Sequence, residues 1–291
     1  MKIGFEETPA APAGTYSRHL AKLLAEYAPE HEYIVDGARY KELDLYHGFR
    51  PGLPLPLLRR IPSVMTVDNL NFLRYPHLYS LPERLVLLRL YRRALRSASR
   101  LITVNRDARE ELSERLRIDP GRIEVVMPLA ARVPHEPPAA SSAERVGIVV
   151  CGRRTVYADS LLEYARGRHM ASRVDFIYEL SPDDLPALFR LAHAFVYLPD
   201  AGIEASIVPV VEAMRAGVPM VLSDTQLNRE AAGDAAAYVR PEAAGEVAAA
   251  LENVLSDVNF RREMKARERR RAELFSEYAV ARRLIDIYSS L

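Results

Sequence analysis

The chain has 291 residues, 49% of them hydrophobic and 27% charged, with a formal net charge of +1, which describes a globular protein with room for two ordinary cores. That balance gives no reason to expect nucleic acid as a partner, and the basic residues lack the interleaved aromatics of single-strand binders. The single cysteine, Cys151, rules out an internal disulfide and fits a reducing compartment.

Residues 2–5 open on a strand pattern rather than on a charged and then apolar signal segment, and no apolar stretch approaches bilayer length, so a cytoplasmic protein is expected. Short runs rich in Val, Ile, Phe and Tyr follow at 32–36, 43–49, 63–67, 101–105 and 123–127. Helical patterns lie between them at 16–28, 82–98 and 107–116. Strands alternating with helices predict a mostly parallel sheet covered on both faces. Residues 130–142 then turn rich in Pro, Ala and Ser, which is a linker composition.

Beyond the linker the alternation restarts. Strands are predicted at 146–151, 173–178, 194–198, 220–223 and 236–239, with helices at 160–165, 185–192, 209–216 and 244–255. Cys151 ends the first of these runs, where a buried strand position is expected. The charged run 261–271 reads as a solvated helix. The expectation is an α/β chain of two Rossmann-like, doubly wound domains facing across a cleft, spanning 1–138 and 143–275. In open α/β sheets ligands sit at the carboxyl ends of the strands, so the cleft is the expected site.

Residues 181–233 are specific. They hold Leu-Pro-Ala-Leu-Phe-Arg at 185–190, glutamates eight apart at Glu204 and Glu212, then Glu-Ala-Met-Arg-Ala-Gly-Val-Pro at 212–219, Ser223 with Asp224, and Glu230 before Gly233. This set resembles the donor-binding half of the large retaining GT-B glycosyltransferase family called glycosyl transferases group 1. Thr66 to Leu70 resembles the family's Thr-Val-His-Asp-Leu, and 275–278 with Tyr288 its closing helix. The resemblance implies that the segment 276–291 crosses back onto the first domain. It also implies a cytoplasmic enzyme that moves a hexose from a UDP- or GDP-linked sugar to a saccharide or lipid-linked acceptor of the cell envelope, without a metal or other cofactor.

Physical chemistry agrees with the placement. Pro209 suits a first helical turn, where its missing N–H has no intrahelical partner, and such a helix start can seat a diphosphate. Glu212 falls one turn in, where a carboxylate can accept hydrogen bonds from a ribose diol; alone it reads equally as a solvated acid or a helix-dipole partner. The family places the first glutamate by the donor sugar and the second on ribose, which implies those roles for Glu204 and Glu212. By the same resemblance Arg153, or Arg154, neutralises the donor phosphates. Ala205, Ser206, Ile207 and Val208 line the nucleotide sugar, Gly14 belongs to a loop before the first helix, and Asp68 and Asn69 face the acceptor.

The chain also departs from the family. No lysine occurs between Lys41 and Lys265, so any second cation is an arginine. Ala205, Ser206 and Ile207 replace Gly-Phe-Gly, Asp68 replaces a histidine, and only about twenty residues separate Gly152 from the strand at Val174, which predicts a donor domain shortened by about one βα unit. A catalytically silent relative serving as a partner subunit, and a nucleotide-sugar epimerase, are the alternative readings. No Asp-x-Asp pair or metal-ligand spacing of histidines is present, and His193 reads as packing.

Arg89, Arg92, Arg93, Arg96 and Arg100 recur at the spacing of one helix face. Leu87, Leu88, Leu90, Tyr91, Ala94 and Leu95 are expected to face the core. A basic stripe on the acceptor side is expected either to be a solvated face or to rest on anionic lipid at the inner membrane surface.

Overall fold

The computed structural model describes residues 1–6, 13–35, 42–51, 60–67, 70–76, 79–126, 147–152, 154–178, 180–181, 184–199 and 206–291. The expected linker at 130–142 lies outside them.

The first half builds a parallel sheet of six strands: β1 (Lys2–Phe5), β2 (Glu32–Val35), β3 (Leu45–Gly48), β4 (Ser63–Val67), β5 (Arg100–Thr103) and β6 (Ile123–Val125). They lie in the order β2-β1-β3-β4-β5-β6. The central strands β3 and β4 are buried at every residue, as a sheet covered on both faces requires. Helices α1 (Ala13–Tyr27), α2 (Asn71–Arg74), α3 (Leu81–Ser97) and α4 (Arg106–Leu116) connect them. Side-chain caps start α3 and α4. Ser80 and Glu83 form a reciprocal capping box before α3, and Asn105 Oδ1 accepts from the Ala108 N–H at 2.7 Å to open α4. Arg89, Arg92, Arg93 and Arg96 are exposed on α3, as the spacing predicted. Arg100 does not extend that stripe, because α3 ends at Ser97 and Arg100 starts β5. Leu90 stays 41% exposed, since the buried side of α3 centres on Ala94 and Leu95.

The strand order reverses between β1 and β3, and a crevice at the carboxyl ends of such strands is where α/β sheets bind ligands. The buried Glu6 carboxylate, just past β1, accepts from the Phe49 N–H at 2.7 Å, the Arg50 N–H at 3.0 Å and Arg50 Nε at 2.8 Å.

The second half carries five strands among the described residues. β9 (Phe195–Tyr197), β10 (Met220–Ser223) and β11 (Ala237–Val239) form a parallel sheet in the order β11-β10-β9. β7 (Ile148–Cys151) pairs in parallel with β8 (Val174–Ile177) alone. The intervening helices are α5 (Val156–Gly167), α6 (Leu185–Leu191), α7 (Val208–Ala216), α8 (Gln226–Ala232), α9 (Ala244–Ser256) and α10 (Val258–Ala272). Val210, Val211, Ala213 and Met214 of α7 pack on Met220 and Leu222 of β10 and on Phe275. Gly233 ends α8 at φ +61°, a backbone angle that glycine adopts without strain, and Arg271 Nε donates to the Ala231 carbonyl beside it at 3.0 Å. Cys151 is exposed, contrary to the buried position its apolar run predicted, because β7 gains one strand neighbour and α5 buries only Ala165.

The last helix, α11 (Glu277–Ser289), packs on the first sheet. Ser276 caps it, its Oγ accepting from the Ala279 N–H at 3.2 Å. Val280, Ala281, Leu284, Ile287 and Tyr288 recur on one face and join Ile3, Phe5, Leu20 and Leu24 in one core. Each buried Leu or Ile there contributes about 1.5–3 kcal/mol. Arg283 adds an ion pair to Glu124 of β6 at 2.6 Å.

Candidate functional site

The carboxyl ends of β9 and β10 open onto the start of α7. Ile207 takes the position before the helix, Val208 is its first residue and Pro209 follows at the second. Ser206 Oγ accepts from the Val208 N–H at 3.2 Å, and Pro209 has no N–H to offer. A phosphate seated here therefore depends on the Val210 amide and on the loop before the helix. The Ile207 side chain is buried in the core, so its main chain is the part available to a ligand.

Glu212 lies one turn into α7 and is only 7% exposed, among the buried Val211, Ala213 and Met214. Arg154 precedes α5, where Thr155 caps the helix by accepting from the Ala158 N–H at 3.1 Å. Its guanidinium is turned to Asp159 at 3.1 Å and lies 5.8 Å from the Tyr178 ring centre. Gly14 sits inside the first turn of α1 rather than in a loop before it, since the helix starts at Ala13. A first-turn amide has no intrahelical acceptor, so glycine costs little there. Glu204, Ala205, Arg153, Asp68 and Asn69 lie outside the described residues.

Of two residues at these strand ends, Tyr197 was not singled out in the sequence, and Glu230 was read there only as part of a motif. Tyr197 ends β9 beside the start of α7, and its hydroxyl meets the Ser206 amide; burial pushes its pKa up, and that hydrogen bond opposes the rise. Glu230, on α8, reaches the other half of the chain. Both of its carboxylate oxygens accept from the Arg106 N–H, at 3.0 Å each, at the start of α4. Burial raises the Glu230 pKa, opposed by that N–H and by the Arg106 charge. Because α8 follows β10 and α4 follows β5, this contact turns the carboxyl ends of the two sheets toward each other. Asp224, also at the end of β10, is held by Arg229 through two hydrogen bonds of 2.5 and 2.9 Å, which lower its pKa.

In the middle of the first sheet, His47 of β3 is buried between Tyr288 and Thr66, with Nδ1 2.6 Å from the Tyr288 hydroxyl and Nε2 2.7 Å from Thr66 Oγ1. Burial pushes its pKa down to about 3, so the ring is neutral. Among the described residues no group of three or more His, Cys, Asp or Glu side chains is arranged to hold a metal ion. No helix among them is long and apolar enough to cross a membrane.

Comparison with known proteins bears on this arrangement. Residues 123–271 match the family model "Glycosyl transferases group 1", and residues 11–128 match "Glycosyltransferase Family 4". The O-antigen chain mannosyltransferase RfbU of Salmonella typhimurium is 33% identical over 108 residues, which cover 37% of this chain and 30% of that protein. O-antigen chain mannosyltransferase B of Escherichia coli is 27% identical over 147 residues, 50% of this chain and 38% of that one. The matched stretches thus span well under half the length of these curated relatives. Among solved structures, sucrose-phosphate synthase from Thermosynechococcus elongatus superposes with a TM-score of 0.73 at 16% identity, covering 100% of this chain and 98% of that one. Anabaena HepE, solved with UDP and glucose, gives 0.73 at 14% identity over the whole of both chains. The lipopolysaccharide glycosyltransferase WaaG gives 0.65 at 13% over 99% of each. The fold is therefore GT-B, and the chain belongs to the glycosyl transferases group 1 family.

Proposed function

We propose that this protein transfers a hexose from a UDP- or GDP-linked sugar to a saccharide or lipid-linked acceptor of the cell envelope, at the cytoplasmic side, with retained anomeric configuration and no metal ion. One observation carries the reading: the buried Glu212 stands one turn inside α7, whose start opens at the carboxyl ends of β9 and β10. Glu212 takes the ribose diol, and Glu204 lies by the sugar. The main chain of residues 205–208 and Gly14 approach the donor, while Arg153 or Arg154 meets the diphosphate. Asp68 and Asn69 receive the acceptor. In the reaction the bond from the sugar's anomeric carbon to the phosphate oxygen breaks, a bond to the acceptor oxygen forms, and the acceptor's proton is lost. Charge then grows on the departing diphosphate, where a helix start and an arginine stabilise it. The names of the two mannosyltransferase relatives support an envelope saccharide as acceptor, and HepE's complexes with UDP and UDP-glucose support a nucleotide-sugar donor.

A thermal-shift screen of UDP-, GDP-, ADP- and dTDP-sugars tests the donor, since a ligand of the native state raises its melting temperature. A UDP- or GDP-sugar is expected to raise it, and flat melting curves for all four would sink the reading. NMR of the product then reads the anomeric configuration, and EDTA is expected to leave the rate unchanged. The commitment of Arg154 to Asp159 favours a second reading, a silent relative that keeps the nucleotide site. Nucleotide binding without transfer or donor hydrolysis would select it.

A further inference from the structure

We propose that the cavity between the carboxyl end of α1 and the outer side of α11 is a saccharide site separate from the cleft, taking one ring of a neutral sugar. The cavity measures about 250 Å³, and its lining includes Tyr27, Glu30, Tyr278, Arg282, Ile285 and Asp286. The last four share one stripe of α11, at i, i+4, i+7 and i+8, beside the buried stripe that fixes this helix to the core. Tyr27 ends α1, and Glu30 follows in the turn to β2. The two tyrosine rings are exposed and meet edge to face, with centroids 5.7 Å apart and planes at 63°. Helix α1 follows β1 and leads into the parallel strand β2, so it runs back along the sheet. The cavity therefore lies toward the amino ends of the strands. The 15 residues of α1, about 22 Å of helix, separate it from the carboxyl ends where the cleft opens.

Charge selects a neutral ligand. An anion entering the cavity meets the carboxylates of Glu30 and Asp286. A cation meets Arg282, which is already lodged in the lining, where its Nη1 donates to the Tyr278 hydroxyl at 3.0 Å and Asp286 favours its charge. What remains suits an amphipathic ring. A sugar carries C–H groups on its faces and hydroxyls around its rim. The faces of the tyrosine rings, negative in potential, attract such C–H groups, and Ile285 adds apolar contact. Each carboxylate can accept from two neighbouring hydroxyls, and the guanidinium donates to a third. The volume falls below the roughly 300 Å³ at which sites for drug-sized ligands begin, so one ring fits and a whole nucleotide sugar does not. The inference goes beyond the proposed glycosyl transfer, and its test needs neither donor nor turnover.

Saturation-transfer NMR on the full chain provides that test, with methyl glucoside, methyl mannoside and methyl galactoside as neutral probes, choline as the cation and acetate as the anion. Irradiating the aromatic protons of the protein should carry saturation to the ring C–H groups of at least one glycoside, and to neither choline nor acetate. Tyr278→Ala should weaken that binding about tenfold, the scale on which truncating an anchoring tyrosine acts. Asp286→Asn keeps the shape and should weaken it about fivefold, because a neutral acceptor replaces a charged one. Both side chains are exposed, so both variants should melt near the parent temperature. Glu212→Gln, in the cleft, should bind the glycosides as the parent does. No transfer to any glycoside, transfer to choline or acetate as strong as to the glycosides, or parent affinity in both α11 variants would each overturn the proposal. Binding that is lost in Glu212→Gln and kept in Tyr278→Ala would do so as well, by placing the sugar in the cleft.

Discussion

The Glu230 carboxylate, on α8 of the second half, accepts from the Arg106 main-chain N–H through both oxygens, at the start of α4 in the first half. An acid at a helix start also meets the positive end of the helix dipole. The contact joins elements 124 residues apart in sequence, so it constrains how the two halves face each other. Glu230→Ala should lower stability by about 1.5–3 kcal/mol, the range for a hydrogen bond to a charged group. It should also enlarge the radius of gyration in small-angle scattering. A variant as compact and as stable as the parent would show that the halves are held elsewhere.

For the nucleotide site, calorimetry with the donor that passes the thermal screen is the direct measure. Glu212→Ala should weaken binding by about 1.5–3 kcal/mol, because a ribose diol loses a charged acceptor. Glu212 is buried, so Glu212→Gln, which keeps its shape, separates lost binding from lost packing. Gln should weaken binding less than Ala and melt near the parent temperature. Parent affinity in both variants removes Glu212 from the site.

His47 makes stability depend on acid. Its folded pKa of about 3 lies below the ordinary 6.5, because burial penalises the charged ring. The unfolded chain therefore takes up a proton first, and stability present above pH 6.5 is lost as pH falls toward 3. At pH 5 the loss from this residue is about 2 kcal/mol. Urea unfolding of His47→Gln should start from a lower stability at pH 7.5 and change less between pH 7.5 and 5. A variant with the parent's slope would assign the acid sensitivity to other groups.

Glu268 acts in the opposite sense. It is fully buried on α10, one turn after the buried Met264, and its carboxylate oxygens have no hydrogen-bond partner among the described residues. Burial pushes its pKa up to about 8, against the pull of Lys265 and Arg269. The folded pKa lies above the unfolded one, so the stability present below about pH 4.5 is lost as pH rises through 8. Glu268→Met should match the parent most closely at pH 4.5 and gain on it by on the order of 4 kcal/mol by pH 9. Chemical denaturation at the two values reads the difference, and a gap that stays constant with pH would mean the carboxyl is solvated.

Much of the fold and part of the site are written in local spacing. Helix starts follow Ser80, Asn105 and Ser276 because a cap acts within three residues, and the exposed arginines of α3 follow from a period of 3.6. Glu212 was legible for the same reason, since Pro209 marks the helix start it follows. What the sequence could not decide is which surface lands across from which. Cys151 and Leu90 have the composition of buried positions, but burial depends on a covering element, and neither receives one among the described residues. Glu6 reads as an ordinary acid until the reversal of strand order brings Phe49 and Arg50 to its oxygens. His47 meets Tyr288 across 241 residues, and Glu230 meets Arg106 across 124. Periodicity reports neighbours one turn or one strand position away. Contacts between the ends of distant elements arise only when the sheets close and the chain returns.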